Sequence, residues 1–136
     1  MKQVLYDYDV FPMVFPAHEE VELTVRPLGA HAAFDGEYLV SVHRLDSGCP
    51  HQAHYADNKT EYTVTPDADG GLRVAYTASA EGELAVRVRK GERLVAQLCV
   101  YALEKDLACR LPLRGDLHMH TCRSDGREAP AVVCAN

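Results

Sequence analysis

Two histidines, His118 and His120, stand two residues apart near the C-terminal end of the sequence, and a carboxylate, Asp125, follows five residues after the second. On a strand, positions i and i+2 project to the same side, so both imidazoles can reach one metal centre. Asp125 lies in a Ser124-Asp125-Gly126 turn. There the chain can fold back and add a carboxylate, with Gly126 permitting the sharp turn.

The flanking residues suit the task of positioning these ligands. Leu113 and Leu117 fit a short buried strand leading up to the histidines. Pro130 suits the first turn of a helix, whose apolar side would be Val132, Val133 and Ala135. The predicted order is strand, metal-ligand loop, helix. An H-x-H pair alone is weak evidence in a chain with seven His. The joint pattern is far more specific: Asp116 before the pair, Thr121 after it, Ser-Asp-Gly at the right offset, then the Pro-led segment.

That joint pattern, Asp116-Leu117-His118-Met119-His120-Thr121 with Ser124-Asp125-Gly126, resembles the first motif of the PHP (polymerase and histidinol phosphatase) superfamily. The resemblance covers about residues 113–136. It implies a distorted β/α barrel with metals at the C-terminal ends of its strands. It implies that His118, His120 and Asp125 are metal ligands and that Asp116 orients an imidazole from behind. It also implies two or three divalent ions, zinc, manganese or iron, that activate water and clamp a phosphate ester or nucleotide. Ala129 departs from the pattern, since the family often has a capping Ser or Thr there; a missing cap costs the helix about 1 kcal/mol.

The family's further ligands come from later strands, whereas this sequence runs to Asn136. The expectation is therefore a fragment, catalytically inactive alone and binding metal weakly or not at all. Its residues 113–136 are expected to be a poorly supported tail, or to pack on the preceding domain or a neighbouring molecule.

Residues 1–112 have a different character. An apolar share of 47%, with no Trp and three Phe, makes a core of Val, Leu, Ala and Tyr. From about residue 20 to 103 the chain alternates with period two, as in Val21-Leu23-Val25, Tyr38-Val40-Val42, Leu72-Val74-Tyr76 and Leu84-Val86-Val88. Short strands at near-regular spacing predict an antiparallel β-sandwich, immunoglobulin-like or fibronectin-like. Turn chemistry at Pro66–Gly71, Glu81-Gly82 and Lys90-Gly91-Glu92 predicts hairpins and a three-stranded meander over 71–103. Residues 45–59 read as a long loop between sheets, and Glu104-Lys105-Asp106 as a charged turn. Residues 94–101 are apolar on both faces, so the second face needs a cover, such as a homodimer contact.

The net charge of −6 argues against general nucleic-acid binding. Arg87, Arg89, Lys90 and Arg93 read as a solvated strand edge. Five Cys, an odd number without C-x-x-C, predict free thiols in a reducing cytoplasm. Acids at Asp7 and Asp9 interrupt any N-terminal signal or membrane span. Cys49, His51, His54 and Asp57 match no zinc-finger spacing and read as a polar loop. Asp67-Ala68-Asp69-Gly70 lacks the later Glu of a calcium loop, and Cys122 reads as an ordinary thiol. His18, His31 and His43 have no partner in sequence. The alternative to a phosphoesterase accessory domain is a ligand- or protein-binding or oligomerisation module. Its candidate aromatics are Tyr6, Tyr8, Phe11, Phe15 and Tyr55.

Overall fold

The computed structural model describes residues 7–44 and 59–110. The readings on Tyr6, on 45–58 and on 113–136 lie outside these residues. In chain order the strands are β1 (Tyr8–Phe11), β2 (Val14–Pro16), β3 (Glu20–Pro27), β4 (Tyr38–Arg44), β5 (Lys59–Val64), β6 (Leu72–Thr77), β7 (Gly82–Lys90) and β8 (Arg93–Leu103). A one-turn helix, α1 (Lys105–Ala108), follows.

The strands form two sheets, a three-stranded one in the order β1-β3-β6 and a five-stranded one in the order β2-β8-β7-β4-β5. The pairings are antiparallel except that of β2 with β8. The protein is thus mainly β and has the expected sandwich architecture. The neighbours β1-β3-β6 and β8-β7-β4 correspond to the A-B-E and G-F-C neighbours of an immunoglobulin-like sandwich.

Period two decides what each sheet buries. Leu23 and Val25 of β3 and Leu72 and Val74 of β6 point inward from the small sheet. Val40, Val42, Val86, Val88 and Val100 meet them from the large one. All nine are at most 4% exposed. Burying such a side chain contributes roughly 1.5–3 kcal/mol, before the entropy of ordering is subtracted. Phe15 of β2 enters the same cluster and meets Tyr76 edge-on, with centroids 6.4 Å apart. Elsewhere Phe34 stacks on Tyr8 and meets Tyr38 edge-on, each at 5.0 Å.

Several sequence expectations need correction. The meander over 71–103 is not formed, because β6 pairs with β3 and only β7 and β8 make a hairpin. Ala78 is buried after β6, and its carbonyl accepts the His18 N–H at 2.9 Å. Residues 78–81 then cross the roughly 10 Å between stacked sheets. Arg44 Nη2 holds the far side by donating to the Glu81 carbonyl at 2.8 Å. The hairpin at Lys90-Gly91-Glu92 is as expected, with Gly91 at φ 55 and Lys90 paired to Arg93. Arg87, Arg89 and Lys90 belong to β7, which is paired on both sides, so they form no sheet edge, and Lys90 is ion-paired with Asp35 at 2.7 Å. Strands β4 and β5 are antiparallel neighbours in one sheet. The charged turn after Leu103 opens into α1.

The turn before β6 is built on Asp67. Its Oδ1 accepts the N–H groups of Asp69 (2.8 Å) and Gly71 (3.0 Å), and its Oδ2 accepts from Arg73 Nε. Gly70, at φ 78, supplies the positive φ that the turn requires. These bonds use Asp67 as a turn residue. The Arg73 guanidinium, followed by the two backbone donors, holds the Asp67 carboxyl below its ordinary value of 3.8.

Two predictions follow from this packing. Leu23→Ala lowers unfolding free energy by about 3 kcal/mol, whereas exposed Leu28→Ala stays within about 0.5 kcal/mol, both read by urea denaturation. Asp67→Asn lowers the urea midpoint at neutral pH. A carboxyl depressed in the folded state stabilises above its unfolded value and loses that effect as pH falls through its folded value. The gap to wild type therefore narrows below pH 3.8; a gap constant from pH 7 to acid would contradict the assignment.

Candidate functional site

The residues with the strongest chemical signature, His118, His120, Asp125 and Asp116, lie outside the described residues, as do Cys49, His51, His54, Asp57 and Cys122. Among the described residues no group of three or more His, Cys, Asp or Glu is placed to hold a metal. The sandwich itself offers two polar constellations on its outward faces.

The first lies on the five-stranded sheet. Ser41 and His43 point outward from β4, two residues apart, with Ser41 Oγ and His43 Nε2 separated by 2.7 Å. In register, Ser41 faces Arg87 and Glu61, and His43 faces Ala85 and Lys59; Ala85 in turn faces Cys99. Ser41 and His43 are each 5% exposed although they lie on an outward face. Burial, then the charge of Arg87, lowers the His43 pKa and favours the neutral imidazole. A hydroxyl beside a neutral imidazole is the contact that activates nucleophiles. Here the burial of both side chains closes the pair to substrate, so the contact satisfies buried polar atoms.

The sequence reading missed this pair, because it took His43 as a histidine without a partner. The i, i+2 spacing on a strand was the available signal. His31 is likewise paired, with its Nε2 3.0 Å from Asp7 Oδ1. That contact spans 24 positions and leaves no local trace.

Cys99, two strands from His43 with Ala85 between them, is half-buried, and burial followed by Glu83 raises its thiol pKa, which makes it a poor nucleophile. Cys99 and Cys109 are free thiols. Of the candidate aromatics, Phe15 is core, Tyr8 packs against the core and Phe11 is 62% exposed. The two-faced strand 94–101 is part of β8, lying between β2 and β7. Its inner face holds Leu98, Val100 and Ala102, and Val95, the extra residue of a bulge opposite Val88-Arg89, also packs on the core. Tyr101 faces outward at 40% exposure and donates to Glu83 Oε1 at 3.2 Å.

The second constellation, on the three-stranded sheet, centres on Arg73. Its guanidinium pairs with Glu22 at 2.9 Å, Asp69 at 3.0 Å and Asp67. One cation among three carboxylates is fixed in place, and the hydrogen bonds to Asp67 and then Glu22 raise its already high pKa. No described helix is long and apolar enough to cross a membrane.

No protein-family model matches this chain, and no curated protein matches it. Among solved structures it is similar to a Bacillus anthracis protein described as a "Putative Lipoprotein". The two are 13% identical with a TM-score of 0.47, and the match covers 75% of this chain and 76% of the other.

Proposed function

We propose that residues 1–112 are the accessory sandwich of a PHP-type metal-dependent phosphoesterase and that residues 113–136 begin its catalytic barrel. One observation carries this reading: the run Asp116 to Thr121 followed at fixed offset by Ser124-Asp125-Gly126. The donor set fits the group it implies, because two imidazoles and one carboxylate suit zinc, manganese or iron. In this reading His118, His120 and Asp125 hold the ions, and Asp116 orients an imidazole. Divalent ions, when bound, supply activated water and neutralise charge on a phosphate ester or nucleotide. The parent protein hydrolyses that ester, and residues 1–136 alone are inactive.

The fold supports a tethered site. Asp116 comes six residues after Arg110, the last described residue, so the ligand loop starts within about 20 Å of the α1 end of the sandwich. At that end α1 packs beside β2 and β8. In this reading the sandwich is tethered close to the first strand of the barrel and is free to influence which esters bind. Free thiols at Cys99 and Cys109 support placement in the reducing cytoplasm.

The test is metal analysis and p-nitrophenyl phosphate hydrolysis by the full-length parent. Wild type carries at least one equivalent of divalent metal; His118→Ala and His120→Ala lose both metal and activity. Asp116→Asn weakens metal binding by about 10- to 100-fold. Retention of metal and turnover in both alanine variants would refute the assignment.

A further inference from the structure

The outward face of the three-stranded sheet carries an open groove of about 450 Å³ that the phosphoesterase reading does not use. Register explains its shape. Phe11, Thr24 and Arg73 form one row across β1, β3 and β6. Gly71 lines the groove next to Thr24 and Arg73. A Cβ there would come within 3.1 Å of Thr24 Cγ2, so the missing side chain keeps the floor open.

The chemistry of the walls is mixed. Arg26, Arg73, Glu22 and Asp69 all line the groove. Arg73 is held by its carboxylates, which fixes the rim. Arg26, by contrast, pairs with Asp9 at 3.8 Å and its side chain stays 55% exposed. The side chains of Glu22 and Asp69 are 59% and 82% exposed, each with one oxygen on Arg73 and a second available as acceptor. Phe11 stands at the rim with most of its ring in water, and the Arg26 guanidinium lies 5.9 Å from its centroid.

These features select a ligand class. Four carboxylates, Glu22, Asp69, Asp9 and Asp67, outnumber the two guanidiniums of Arg26 and Arg73, so an anion is repelled and loses its hydration. A purely apolar ligand leaves the carboxylates and guanidinium unpaired. A neutral polyhydroxylated molecule matches all of it, since its hydroxyls donate to Glu22 and Asp69 and accept from Arg26 and Thr24. Its C–H face packs on the ring of Phe11. We propose that this groove is a carbohydrate-binding site, with Phe11 as the platform and Arg26, Glu22 and Asp69 as the polar contacts. It lies on the sheet opposite the one that carries β8 into α1, and it stands independently of the phosphoesterase assignment.

The probes are maltohexaose, cellohexaose and mannohexaose, titrated to 5 mM into the ¹⁵N-labelled chain, with inorganic phosphate as the anionic control. At least one oligosaccharide gives saturable shifts at the amides of Phe11, Thr24 and Gly71, and phosphate gives none. Phe11→Ala weakens that binding by about tenfold. The amide spectrum elsewhere is unchanged, because the ring it removes is exposed. Gly71→Val fills the floor and abolishes binding. The proposal is overturned if no oligosaccharide shifts these amides, if Phe11→Ala binds as well as wild type, or if phosphate binds the groove in their place.

Discussion

The fold depends on one constraint. Alternate residues on its main strands are apolar, and each sheet can take that face out of water only by pressing it on the other. Val40, Val42, Val86 and Val88 lie on adjacent strands of the large sheet, while Leu23, Val25, Leu72 and Val74 do the same on the small one. Neither set is buried alone, so the two sheets stabilise each other. Everything polar follows from this. With the inner faces committed, the carboxylates, guanidiniums, Ser41 and His43 are left to the outer faces.

The outer faces differ in consequence. On the large sheet the polar residues near the centre are buried and held in local contacts, as in the Ser41–His43 pair. Such a face does not open onto solvent chemistry. On the small sheet the outward residues of three strands remain exposed around an open depression, and the Arg73 ion pairs hold their geometry. The sandwich is therefore a scaffold with one closed and one open polar face. The catalytic chemistry proposed for the parent lies beyond both, in the segment that follows α1.

Much of the architecture was legible in the sequence. Period two located β3, β4, β6 and β7, the run 94–101, apolar on both faces, fell within β8, and the glycine-containing turn at Lys90-Gly91-Glu92 located the β7–β8 hairpin. What period two cannot convey is partnership. It states which face of Leu72–Thr77 is buried, but not that the strand pairs with β3, fifty residues earlier, rather than with β7 next in sequence. Strands β1 and β2 escaped notice because each is four residues or fewer and Pro12 interrupts them. Helix α1 is a single turn, too short for any helical period to register. The candidate chemistry divides the same way. The Asp116–Gly126 motif is local and legible as a run of residue types, whereas the Arg73 hub joins Glu22 to Asp67 and Asp69 across β3 and β6 and has no linear signature.

The most direct test of the central claim is anomalous X-ray diffraction from crystals of the full-length parent, collected on both sides of the zinc, manganese and iron edges. The metal-ligand assignment predicts a strong anomalous peak bonded to the imidazoles of His118 and His120, with the Asp125 carboxylate in or beside the same cluster. No anomalous peak near these side chains, or one ligated by other residues while His118 and His120 point apart, would contradict it.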